Sequence, residues 1–155
     1  MRTAGLAVDI PSPGRPRTQL VVLDNVSGSP TIVTSEAFPS RNTDLAAQLH
    51  DAAEAVRSRL HGLAVEKVVV RRADRPPRAT NAEGPRVRLL TEGAIASAAR
   101  SVVVDTQIGT GKDTGGWFGS DKAGVDRASS VLLQAQGINP TFMEATSAAL
   151  AAMRL

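Results

Sequence analysis

The hydrophobic period of this chain stays strand-like up to about residue 43 and then changes, and that change limits the folds open to it. Before it, apolar residues come in short strand-like runs: Ala4 to Asp9, Gln19 to Leu23 and Thr31 to Phe38. Turn formers separate them, first Pro11, Pro13, Gly14 and Pro16, then Asp24 to Pro30. Three strands joined by short loops predict an antiparallel meander. After it, Leu45, Leu49, Ala52, Ala53, Val56 and Leu60 recur at helical spacing, with Asn42 or Thr43 to cap the helix and Gly62 to end it.

The second part alternates. Val65 to Arg71 reads as a fourth strand, residues 72–85 as a proline-rich loop, and 86–100 as a helix with small residues that let it lie close on a sheet. Val102 to Val104 reads as a fifth strand and 106–119 as a Gly-rich loop. Ser120 can cap a helix through Gln136 that Gly137 closes, and Asn139-Pro140 opens a last, Ala-rich helix. The order β-β-β-α-β-α-β-α-α predicts one α/β domain over 1–155, a five-stranded mixed sheet with helices on both faces.

Composition narrows the chemistry. With no Cys and only His50 and His61, disulfides, thiolate nucleophiles, Cys-based zinc sites and His-rich metal clusters are excluded. No apolar run is long enough for a membrane helix, and no secretory leader is evident, so a cytoplasmic protein is expected. The net charge of +3 is concentrated. Residues 67–100 hold 8 basic and 3 acidic groups, whereas each flanking stretch has one more acid than base. Arg forks match phosphate geometry, so Arg71, Arg72, Arg75, Arg78, Arg86 and Arg88 form a candidate nucleic-acid surface. A solvated face is the alternative.

Gly109-Thr110-Gly111-Lys112 is not a phosphate loop. Thr106 stands where the first Gly belongs, and Asp113 where Ser or Thr belongs. Trp117 and Phe118, the only adjacent aromatics, either stack on bases beside Lys112 and Lys122 or anchor their loop to the core. Asp9, ending the first strand, is a candidate metal ligand or a turn cap.

The element order resembles the ribonuclease H-like fold. Residues 88–100, the stretch from Gly119 to Val125, the helix with Val131-Leu132-Leu133, and Asn139-Pro140 resemble RuvC-type Holliday junction resolvases. That resemblance implies about four carboxylates holding two Mg²⁺ ions. Asp9 matches the first. The second, a Glu on the fourth strand, is replaced in the run Val69-Val70-Arg71-Arg72. The last two fall on Met143 and Thr146, with Glu144 about 100° away round the helix.

Three functions follow. The leading one is a nucleic-acid-binding relative, DNA or structured nucleic acid, with a degraded metal site in which an Arg can pair with Asp9. Lys112, Trp117 and Lys122 are its secondary contacts. The second is a Mg²⁺-dependent endonuclease using Asp9 with Asp74, Asp105 or Glu144. The third is a dimeric protein-interaction subunit packing through an apolar helix face such as Ala145 to Met153.

Overall fold

The computed structural model describes residues 1–12, 15–74 and 83–155. Strands β1 (Arg2–Ser12), β2 (Arg15–Val26) and β3 (Ser29–Pro39) form the meander. Its second turn is only two residues long, Ser27-Gly28, both with positive φ (58° and 87°). That geometry matches the right-handed twist of a hairpin. Then come α1 (Leu45–Leu63), β4 (Lys67–Arg71), α2 (Glu83–Val102) and β5 (Thr106–Gly109). Helices α3 (Gly111–Phe118) and α4 (Lys122–Ala135), a 3-10 turn over Pro140–Phe142 and α5 (Met143–Ala152) complete the chain. The sheet order is β3-β2-β1-β4-β5, with β1, β4 and β5 mutually parallel.

Strand alternation sorts two cores. Ala4, Leu6, Val8, Leu20, Val22, Val68 and Val70 face Val56 and Leu60 of α1 and Ile95 and Ala99 of α2. Ala7, Val21 and Leu23 face Val125 and Leu133 of α4 and Ala145 and Ala149 of α5. Every residue from Ala145 to Ala152 is buried. Helix α5 is therefore core, and packing on a partner through this helix, the other reading of its sequence, is not what its burial serves. It presses directly on β1. A Cβ added at Gly5 would stand 1.8 Å from the Ala145 carbonyl oxygen, and Thr3 donates a hydrogen bond to the Ala149 carbonyl.

Other expectations need correction. The fifth strand is Thr106–Gly109, not Val102–Val104, because α2 continues through Val102 and Val104 is 74% exposed. The stretch 106–119 is not one loop. Thr110 and Asp113 form a capping box that starts α3, and these bonds hold the Asp113 carboxyl below its usual range, the Thr110 amide acting most strongly. Asp44 caps α1 and Ala64, at φ 51°, ends it, displacing Asn42, Thr43 and Gly62 from those roles. Asp121, not Ser120, caps α4. Among the described residues no helix is long and apolar enough to cross a membrane.

Gly5→Ala forces α5 off β1 and should lower the unfolding free energy by about 2 kcal/mol or more, measured by urea denaturation.

Candidate functional site

The carboxyl ends of the parallel strands are the place where α/β folds collect functional groups. Here Asp9 lies toward the end of β1, which continues to Ser12, Arg71 ends β4 and Gly109 ends β5. Arg72, the first turns of α2, α3 and α4, and Glu144 in the first turn of α5 gather at the same end. The helix dipoles add a positive field there.

Arg71 lies at the centre. Strand alternation puts it on the α5 face with Val69, and it pairs in register with Ala7 of β1. Its side chain is 2% exposed. A buried guanidinium needs a partner, because losing water is costly for an ion. Asp126 of α4 supplies it in a two-pronged contact, Nη1–Oδ1 2.5 Å and Nη2–Oδ2 3.3 Å. Ser147 of α5 donates to the same Oδ1 at 2.9 Å, and its Oγ lies 2.7 Å from that of Ser129. Gly111 leaves room for the guanidinium, since a Cβ there would meet Arg71 Nη2 at 2.7 Å.

Each sequence-selected acid is likewise matched by a cation. Asp9 faces Arg17 across the β1–β2 pair and receives Nε at 3.0 Å and Nη2 at 2.6 Å. That hydrogen bond raises the Arg17 pKa. The expected Asp9–Arg71 pair is thus not formed; two separate pairs stand in its place. Asp74 accepts from Lys122 and, at 2.8 Å, from the Gly111 amide at the start of α3. The Lys122 bond, supported by that amide, holds its carboxyl below the usual range. Arg88 bridges two acids, with Nε 2.8 Å from Glu92 and Nη2 2.7 Å from Glu144. Burial lowers the Arg88 pKa, but Glu144 and Glu92 outweigh it and leave it raised. Burial also pushes Glu92 up, even though Arg88 and the Ala73 amide both donate to it.

The remaining candidates fall elsewhere. Asp105 pairs with Lys67 at the amino end of the parallel strands, away from Asp9. Met143 is half-buried, and Thr146 is buried with its hydroxyl donated to the Phe142 carbonyl. Trp117 packs on Val69, Ala148 and Ala152, so its ring anchors α3 to the core and is not an open stacking surface. Arg71 is corrected too: its burial removes it from the phosphate-contacting set. Arg72, Arg86, Lys112 and Lys122 are exposed and Arg88 is half-buried, all at the same end of the sheet; Arg75 and Arg78 lie outside the described residues. Beside them, Asp9, Ile10, Asp74, Leu89 and Glu92 line a cleft of about 670 Å³. Asp126, Arg17 and Glu92 were missed as site residues. The signal for Asp126 was a carboxylate beside Val125 and one turn before Ser129, on the inner side of an amphipathic helix.

Two solved structures of RuvC from Thermus thermophilus share this backbone. One, in complex with a Holliday junction substrate, has a TM-score of 0.73 and 15% identity, covering 99% of this chain and 94% of that one. The other has a TM-score of 0.70 and 14% identity over the same shares. The chain has the RuvC fold. No family model and no curated protein matches its sequence.

The RuvC resemblance implies Mg²⁺ held by carboxylates, and the residues present do not fit that ion. An Arg occupies the β4 position, Asp9 is committed to Arg17, and one guanidinium holds both Glu92 and Glu144. Among the described residues no three acidic or His side chains group closely enough for a metal. Octahedral coordination of a hard cation needs several anionic oxygens aimed at one point.

Removing one member of the central pair leaves a buried charge alone. Arg71→Met should cost about 3–5 kcal/mol in a denaturant melt, and adding Asp126→Leu should restore most of it.

Proposed function

We propose that this chain is a nucleic-acid-binding protein of RuvC-like fold, acting on DNA in the cytoplasm without cleaving it. One observation carries the reading: a buried Arg71, locked to Asp126, stands on the strand where the resemblance requires an acid. The phosphate-contacting set is Arg72, Arg86, Arg88, Lys112 and Lys122, with Arg75 and Arg78 joined to it from the sequence. The net positive middle segment and the convergent helix N-termini support it. The Thermus thermophilus protein bound to a Holliday junction supports branched DNA as the first probe.

The test is a fluorescence-anisotropy titration on a four-way junction and a linear duplex across a salt series, followed by incubation with Mg²⁺ or Mn²⁺. Binding should survive EDTA. Arg72→Glu with Lys112→Glu should weaken it at least tenfold and lower the log–log salt slope by about 2. Cleavage that Asp9→Asn abolishes would establish the endonuclease instead.

A second copy of the chain is the proposed protein partner. Leu90 of α2, Val104 before the edge strand β5 and Ile108 within it are 49%, 74% and 46% exposed, and among the described residues no neighbour covers Gly93 between them in sequence. Light scattering should give a dimer, and Leu90→Glu should make it monomeric.

A further inference from the structure

We propose that the cleft beside the central pair seats one unpaired nucleobase of a bound DNA strand. This rests on the nucleic-acid reading above and adds the structural class of DNA preferred.

The cleft lies between the end of β1, Arg72 to Asp74 and the first turns of α2. Its volume, about 670 Å³, falls in the range of pockets that take nucleotide-sized molecules. Its walls and its rim differ in chemistry. Ile10, Ala73, Pro85 and Leu89 provide apolar surface, whereas Arg72 and Arg86 provide positive charge. Leu89 is 61% exposed, a large apolar side chain left open at a site crowded with ions. A surface that only followed phosphates would need the arginines but not the apolar walls. A purely apolar ligand would need the walls but not the arginines. A nucleotide in a strand uses both, because its base has apolar faces and its flanking phosphates are anionic.

Glu92 closes the inner side of the cleft, where its Oε1 accepts from Arg88 and the Ala73 amide. A paired base cannot enter such a cleft without leaving its stack, and that cost is least where the base is already unpaired. The preferred DNA therefore carries a bulge or a branch point.

The experiment compares a short duplex with the same duplex carrying a single-nucleotide bulge, with 2-aminopurine as the bulged base in a parallel sample. The full-length chain should bind the bulged form about tenfold tighter or more, and the 2-aminopurine emission should change on binding. Leu89→Asp, at an exposed position, should bring the two affinities to within about twofold of each other. Arg72→Glu should weaken both forms alike. Equal wild-type affinities for the two DNAs, or a bulge preference that survives Leu89→Asp, would overturn the base site and leave the nucleic-acid reading standing. Binding to neither DNA would overturn that reading itself.

Discussion

A guanidinium that is 2% exposed at the end of a central strand cannot be left unpaired, and much of this molecule is arranged around that requirement. Arg71 needs a carboxylate from the layer above the sheet, so α4 must present Asp126 there. Asp126 in turn is oriented by Ser147, and Ser147 reaches it only because α5 lies directly against β1 at Gly5. The start of α3 passes close enough to Arg71 that only a glycine fits at position 111. Four elements are thus located by the needs of one side chain.

The same economy governs the acids around it. Asp9, Asp74, Asp126 and the Glu92–Glu144 couple each meet a cation from a different part of the chain. Charge neutralisation that a divalent ion would bring from outside is supplied here by side chains. Basic groups on the exterior, Arg72 and Lys112 among them, stand at the same end. The apolar cleft beside them is the part of this end that the ion pairs do not fill.

Much of the fold was legible because period is a local property. The meander, α1, β4, α2 and α4 follow from alternation, helical spacing and turn chemistry within a few residues. Val102 to Val104 misled because β-branched residues look like a strand wherever they stand, whereas the true β5 is a short edge strand with mixed exposure. Helix α3 was hidden by its glycines, although its capping box was present in Thr110 and Asp113. At the site, Arg71 and Asp9 were visible as residues of interest, but their partners were not. Asp126 stands 55 residues from Arg71, and Arg17 meets Asp9 only through a hairpin register that the intervening prolines and glycine do not specify. Pairing across the fold is a tertiary fact that no local pattern encodes.

The matching of acids to bases at this end of the sheet also shapes how such a protein can change over generations. A single substitution at Arg17, Arg71 or Arg88 releases a carboxylate without giving it anything to hold, so the first step toward a metal-binding arrangement is a loss of stability with no new activity. The unbroken run of buried residues from Ala145 to Ala152, all small but Leu150, adds a steric barrier, since a longer acidic side chain on that helix has no space to enter. Several changes would have to arrive together. Drift at the surface of this fold remains open, while change at its centre is opposed by packing and by charge at once.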